Sequence, residues 1–451
     1  MRCCLAVAAA AASAAACGDN AVVIEIAGDL LEPGGVDAFC LAVYDRDPAG
    51  AEFAARYRVA EVADLDALTL TVEAAAAEGG VAAVRGYRRG LELARSVRAF
   101  EFSGGVDVVD LRLDACRPHA AGAPAVVANA DAPAGARIAV SFGRGGSRVA
   151  ALGDGAALWR ADGGLAGAGM LPAGAAPAAV VAFDADGDCD DDLLAVAADG
   201  SRLLRRRSDG GFDEVPGAVA ATGTAAVAAD VDGDGDIDAV IGGGAALAVY
   251  RNDGTGEFTG EPPLAGLTDV TALAVADLDG DGHVDLVVGQ GDAVGAFPRV
   301  LFNDAPGTGA FALAPAALPE VALRARDVAI ADVNADGVAD VLVAVAGGPV
   351  RAFVNRGDGR LEDRSYVVLP SQPADAVAVA AGDWDGDCLD DAIVGLDVAG
   401  AIGWVGADTG AMSEEAMPAG DAADVALADI DDDGRRDAVV AGGGRVVWIA
   451  R

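Results

Sequence analysis

Six nine-residue stretches of this chain carry aspartate at alternate positions, an arrangement in which a tight loop can aim several oxygens at one point. They read DADGDCDDD from Asp184, DVDGDGDID from Asp230, DLDGDGHVD from Asp277, DVNADGVAD from Asp332, DWDGDCLDD from Asp383 and DIDDDGRRD from Asp429. The shared pattern is D-x-[DN]-x-D-[GC]-x-x-D. Positions 1, 3, 5 and 9 offer side-chain oxygens, and position 7 can add its backbone carbonyl. The candidate donors of the first loop are therefore Asp184, Asp186, Asp188, Asp190 and Asp192, and those of the second Asp230, Asp232, Asp234, Asp236 and Asp238. The third loop offers Asp277, Asp279, Asp281, His283 and Asp285, and the fourth Asp332, Asn334, Asp336, Val338 and Asp340. Asp383, Asp385, Asp387, Leu389 and Asp391 follow in the fifth, then Asp429, Asp431, Asp433, Arg435 and Asp437 in the sixth.

Hard oxygen donors in that number suit Ca²⁺, which takes six to eight, better than Mg²⁺, which keeps its waters in a strict octahedron. Zinc prefers His and Cys. An EF-hand would place Glu at position 12; here position 12 is Ile241, Val288 or Val343, inside an apolar run. One such stretch could be a solvated acidic turn, but six at a regular spacing point to about six Ca²⁺ sites. The totals agree. The formal net charge is −40, from 71 acidic and 31 basic residues, and no lysine is present. Such a surface repels phosphate backbones and anionic lipid, which argues against nucleic acid as a partner. A 53% apolar composition argues against an acidic disordered chain.

The loops start 46, 47, 55, 51 and 46 residues apart. Each follows an apolar run and precedes another, a third strand-like stretch comes next, and several copies add a Gly-rich turn and a weaker fourth. Short Val- and Ala-rich runs bounded by Gly and Asp read as strands. Four strands in about 47 residues is the unit of a β-propeller blade. Seven units cover residues 126–451 if NADAPAGAR from Asn129 is an eroded seventh loop, with Pro133 and Arg137 where the others have Asp. The chain ends after a third strand, so the last blade needs a fourth strand from upstream; the sequence does not identify it.

From Asn129 to Arg451 the chain resembles the FG-GAP/VCBS repeat proteins, whose integrin α-subunit relatives form seven-bladed propellers. The resemblance rests on the six loops and implies that each joins the first and second strands of a blade and holds Ca²⁺. It makes His283 a carbonyl donor and not a catalytic imidazole. Asn334 lowers the charge of the fourth loop. Cys189 and Cys388 replace the glycine of position 6; they belong to repeats that are not ring neighbours, and whether they pair stays open.

Residues 1–16 read as an export signal: Arg2, then a small-residue apolar stretch from Leu5 to Ala16, too short to span a bilayer. Ala14-Ala15-Ala16-Cys17 resembles a lipobox and implies lipidation of Cys17, hence an outer-membrane or cell-surface lipoprotein, or otherwise a secreted one, with the lipid as its membrane contact. Residues 17–116 contain strand-like runs at 22–26, 38–44, 68–72, 98–102 and 106–113, which predict a small antiparallel β-sandwich. A disulfide between Cys40 and Cys116 is expected there, and 117–125 is the linker. The fold class is therefore all-β, a sandwich followed by a seven-bladed propeller. Arg85, Arg88, Arg89, Arg95 and Arg98 give the first domain a basic cluster, either a solvated face or a surface that docks onto acidic groups such as those of the propeller.

An enzyme finds little support. The two histidines are His119, in the linker, and His283, and no nucleophile elbow, H-E-x-x-H or Gly-rich phosphate loop occurs. The expectation is a non-catalytic binding, adhesion or scaffold protein whose partner is an extracellular protein or glycan. The alternative is a polysaccharide-acting lyase or hydrolase; an acidic pair in a cleft away from the six loops would favour it.

Overall fold

The computed structural model describes residues 2–7, 21–27, 38–45, 51–58, 68–73, 79–88, 91–101 and 106–112, and then 123–451 except 134–135, 143–146, 154, 162–164, 170–175, 208, 292–295, 304–308, 371–374, 398–399, 408, 419 and 432–434. From Ala125 onward the strands form seven antiparallel sheets, four-stranded except the third, which gains Leu264–Ala265. The first strands of successive sheets are Arg137–Ser141, Ala179–Phe183, Ala225–Ala229, Val270–Ala276, Ala325–Ala331, Ala376–Gly382 and Asp424–Ala428. Each touches the next, and the seventh touches the first again, so the sheets are the blades of a closed seven-bladed propeller.

Closure uses a strand from before the first blade. Ala125–Asp131 pairs with Arg445–Ala450 and completes the seventh sheet. This corrects the reading of Asn129–Arg137 as an eroded acidic loop. Asn129 lies opposite Val447 in the closing strand, and Arg137 opens the innermost strand of blade 1. The corresponding connection in blade 1 is Phe142–Ser147, FGRGGS, which has no carboxylate.

The second strands are the most deeply covered. All six residues of Asp285–Gln290, Asp340–Val345 and Asp391–Leu396 are buried. Both of their faces meet other sheets, so they read as continuous apolar runs and not as alternating ones. Seven apolar clusters each span two neighbouring blades, from Leu152, Leu193 and Phe212 between blades 1 and 2 to Ile138, Val439 and Trp448 between blades 7 and 1. A lone blade could not bury these faces, and the ring does it by stacking. The seams are tight: a Cβ on Gly242 would lie 2.4 Å from Val270 Cγ1 of the next blade, so no side chain fits there.

Before the ring, eight strands form two four-stranded sheets. One has the order Arg2–Val7, Leu68–Glu73, Ala21–Ala27, Val106–Arg112; the other Ala51–Arg58, Ala38–Asp45, Gly79–Arg88, Leu91–Glu101. The expected runs at 22–26, 38–44 and 68–72 are strands, the described part of 106–113 is the strand Val106–Arg112, and that of 98–102 ends the longer strand Leu91–Glu101. The first sheet is not wholly antiparallel, because Ala21–Ala27 and Val106–Arg112 run parallel. Cys17 and Cys116, and with them the lipidation and the Cys40–Cys116 disulfide, lie outside the described residues.

Candidate metal centres

Every acidic loop joins the first strand of a blade to the second, in blades 2 to 7. Its shape follows from aspartates that bond to their own backbone. The position-1 carboxylate accepts N–H groups from across the turn: Asp230 from Gly233 and Gly235 at 2.7 and 3.0 Å, Asp277 from Gly280 and Gly282 at 2.8 and 3.0 Å. Position 3 accepts from position 5, and position 5 from position 7, as in Asp279 with Asp281 and Asp281 with His283. Position 9 closes the loop. Asp285 accepts Leu278 N–H at 2.9 Å and, from the end of the third strand, Asn303 N–H at 3.0 Å. Asp192, Asp238, Asp340 and Asp391 make the same two bonds in their blades.

These turns hold positions 4 and 6 at left-handed φ. Gly280 and Gly282 have φ of 79° and 89°. Ala335, Cys189 and Cys388 take φ of 57°, 67° and 73° where other loops have glycine. Position 4 was not singled out from sequence, although the recurring D-G-D signals it. Cys189 and Cys388 are both disulfide-bonded.

In four loops the carboxylates converge, with one oxygen from each residue within 4.8 Å of the others: Asp184, Asp186 and Asp188; Asp230, Asp232 and Asp234; Asp277, Asp279 and Asp285; Asp383, Asp385 and Asp391. In blade 5, Asn334 bonds Asp336 at 2.9 Å. In blade 7, the predicted ligand Asp433 lies outside the described residues. His283 lies in the loop and donates its backbone N–H to Asp281.

Packing carboxylates together away from water disfavours their charged form. Burial, helped by neighbouring carboxylates of the same loop, pushes Asp230 up to about 6, Asp238, Asp285, Asp340 and Asp391 up to about 7, and Asp437 up to about 8. Burial and then Asp190 and Asp186 carry Asp188 to about 7. A divalent cation inverts that logic by supplying the missing positive charge. The donor set, hard oxygens from several carboxylates around one centre, fits such an ion.

Two features around the loops escaped the sequence reading. Arginines reach the ligand carboxylates: Arg205 lies 3.0 Å from Asp186, Arg251 3.1 Å from Asp238, and Arg451 3.4 Å from Asp385. Asparagines at the ends of third strands clamp consecutive loops together. Asn252 Nδ2 donates to Ala185 O of blade 2 and Ile237 O of its own loop, at 2.8 and 3.0 Å. Asn303 and Asn355 repeat this one and two blades on. Their recurrence at one offset in the repeat was the available signal.

The opposite end of the ring holds an axial cavity of about 260 Å³, lined by the opening residues of all seven innermost strands. Since the acidic loops follow the last residues of those strands, the cavity is away from them. It contains Asp327 and Asp424. Asp327 accepts Val328 N–H and, from the next blade, Val379 N–H, each at 2.9 Å. Asp424 accepts Ile138 N–H at 2.8 Å and lies 3.8 Å from Arg137. Burial, then the Asp424 charge, raises Asp327 to about 7.

A closed ring of seven antiparallel blades, six with an acidic loop between their first two strands, defines a repeat propeller with built-in candidate cation sites. The FG-GAP-like repeat family matches residues 184–241, 230–288 and 332–394, so the chain carries FG-GAP-like repeats within a seven-bladed β-propeller. No curated protein matches it in sequence. Similar solved structures include an Agrocybe aegerita lectin described as recognising non-reducing terminal N-acetylglucosamine, at 16% identity over 83% of this chain and 93% of that one, TM-score 0.44. Others are the BP39L lectin from Burkholderia pseudomallei, at 19% identity over 74% and 96%, TM-score 0.47, and BBS1N in complex with ARL6DN, at 12% identity over 73% and 96%, TM-score 0.47.

Proposed function

We propose that this chain is an exported, calcium-stabilised binding or scaffold protein without catalytic activity. The observation that carries the reading is the convergence of carboxylates in the acidic loops of a closed propeller. Backbone N–H groups fix the turns, and in four loops carboxylate oxygens converge on one centre, from positions 1, 3 and 5 in blades 2 and 3 and from positions 1, 3 and 9 in blades 4 and 6. Bound there, calcium supplies the positive charge that turns carboxylate repulsion into a crosslink between the first and second strands. The Asn252, Asn303 and Asn355 clamps pass that rigidity to the neighbouring blade. An extracellular protein or glycan is then contacted by the loops of a rigid ring.

Export rests on residues 1–17, with Cys17 as the lipid attachment that would place the protein at the outer membrane or cell surface. No helix among the described residues is long and apolar enough to cross a membrane. Arg2–Val7 is an edge strand, so removal of the signal would leave the other three strands of its sheet paired to one another. Equilibrium calcium binding together with melting in EDTA and in millimolar calcium tests the reading. Several ions bound per chain and a higher melting temperature in calcium are expected; an unchanged melting temperature sinks it.

The axial pair Asp327 and Asp424 favours a second reading, a polysaccharide-acting enzyme. Both residues, however, accept backbone N–H groups from a neighbouring blade, which is a structural task. Turnover of a polysaccharide that Asp327→Asn or Asp424→Asn abolishes would establish the enzyme.

A further inference from the structure

Arg85 belongs to the N-terminal domain, on the strand Gly79–Arg88, yet its side chain is only 2% exposed. Its Nη1 lies 2.7 Å from Asp191 Oδ1 and its Nη2 2.5 Å from Cys189 O, both in the acidic loop of blade 2. The guanidinium also stands 4.9 Å from the centre of the Phe142 ring of blade 1. Asp191 is held in turn by blade 1: its Oδ2 accepts Phe142 N–H and its own N–H donates to Phe142 O, both at 2.8 Å.

The alternation of the loop gives this contact its meaning. Odd positions supply the oxygens assigned to the cation; Cys189 and Asp191 are positions 6 and 8. Arg85 therefore grips the two groups that flank position 7 and that the cation does not use. The blade 3, 4 and 5 loops have Ile237, Val284 and Ala339 at position 8, where no guanidinium could be held. Cysteine at 6 and aspartate at 8 occur together only in the blade 2 and blade 6 loops. In blade 6, Asp390 makes the bond to the preceding blade, accepting Asp332 N–H at 2.8 Å. Asp191 makes the matching bond with one oxygen and gives the other to Arg85.

We propose that Arg85 latches the N-terminal domain to the ring through this loop, so that domain docking and cation binding at the blade 2 site strengthen each other. The inference rests on the calcium reading above. A cation held by the odd-numbered residues would share with Arg85 one short backbone segment, in which Cys189 takes left-handed φ. Whatever fixes one side lowers the entropy cost of fixing the other, and such coupling is reciprocal.

The test uses the full chain, with calcium as the probe, and reads site affinities by titration calorimetry and docking by hydrogen exchange of the strand Gly79–Arg88. Arg85→Gln should weaken one site about 5- to 150-fold, the usual range of such coupling, and leave the rest unchanged. By reciprocity, Asp186→Asn should speed exchange of Gly79–Arg88, whereas Asp279→Asn, in the blade 4 loop, should lose a site without doing so. If all sites of Arg85→Gln match the wild type, or exchange of Gly79–Arg88 ignores both calcium and Asp186→Asn, the latch is refuted while the calcium sites stand. Wild-type protein that binds no calcium refutes the calcium reading itself, and the latch with it. Should Arg85→Gln fail to fold, the comparison of Asp186→Asn with Asp279→Asn decides alone.

Discussion

Replacing Asp285 by Asn should change sign with the cation. Asp285 is a buried position-9 residue that accepts Leu278 N–H and Asn303 N–H. Burial raises its carboxyl from 3.8 to about 7. At pH 8 without a divalent ion, its charged form is thus destabilised by the fold by about 4 kcal/mol as an upper bound. Asparagine removes the charge but keeps one acceptor oxygen, so one N–H loses its partner, at about 1–3 kcal/mol. In EDTA at pH 8 the substitution should stabilise the ring by about 1–3 kcal/mol, the difference of these two effects. On the calcium reading the carboxylate becomes a ligand, and occupancy at a hundred times the dissociation constant would contribute about 2.7 kcal/mol. There the variant should be the less stable protein. The pH dependence follows the same logic. The folded carboxyl titrates near 7 and the unfolded one near 3.8, so the folded state holds the extra proton between them. Wild-type stability in EDTA should fall as pH rises from about 4 to about 7, and Asp285→Asn should reduce that fall. Denaturant melts of both proteins in EDTA and in calcium measure it; a shift of the same sign in both conditions would refute the reasoning.

Asn303→Ala leaves the buried carbonyls of Val231 and Val284 without their shared donor and should destabilise the ring by about 2–4 kcal/mol in chemical denaturation. A loss below about 1 kcal/mol would mean that the clamp is incidental. Ala335→Gly relieves a left-handed alanine at φ 57° and should raise stability by about 1 kcal/mol by the same measurement. At the other end of the ring, Asp327 is raised to about 7 by burial, so its charge destabilises the fold above that pH and not below about 4. Asp327→Asn should flatten the fall in stability over pH 4 to 7 by up to about 1.4 kcal/mol per pH unit, read from denaturant midpoints across that range.

The six acidic loops were legible because ligand geometry imposes a local pattern, aspartate at alternate positions beside a strand. Six of the seven blades were legible for the same reason, since the loops mark off the repeat, but the seventh was counted from Asn129–Arg137, which is the closing strand and the start of blade 1. Ring closure was not legible. Ala125–Asp131 looks like any innermost strand, and what makes it the outer strand of blade 7 is a partner more than 300 residues away. Asn129 and Asp131 therefore imitated a worn loop, while the acid-free connection of blade 1 gave no signal. In the N-terminal domain, Ala51–Arg58 and most of the hairpin Gly79–Arg88 with Leu91–Glu101 were missed because arginine and glutamate break their apolar alternation. Arg85 shows the limit most clearly. The sequence left its cluster as either a solvated face or a docking surface for the propeller, and only the fold singles out Arg85 as the residue buried on Asp191.

The composition of the core explains why so many polar links are placed where they are. The seams between blades are built largely from alanine and valine, and small side chains bury little apolar area each. Such seams pack closely but have less apolar contact to hold them against sliding or splaying. Both of their ends are pinned by directional bonds instead. At the loop end these are the asparagine clamps and the position-8 aspartates. At the cavity end, Thr224 donates to Val270 O and Thr271 to Ala325 O, while Asp327 and Asp424 accept N–H groups of the following innermost strand. The two ends differ in what they need. The cavity end holds a single carboxylate pair, with Arg137 3.8 Å from Asp424, but the loop end gathers several carboxylates in each loop, whose mutual repulsion works against the clamps beside them. A cation bound at the loops would relieve that larger repulsion, so its removal should loosen the ring from the loop end first.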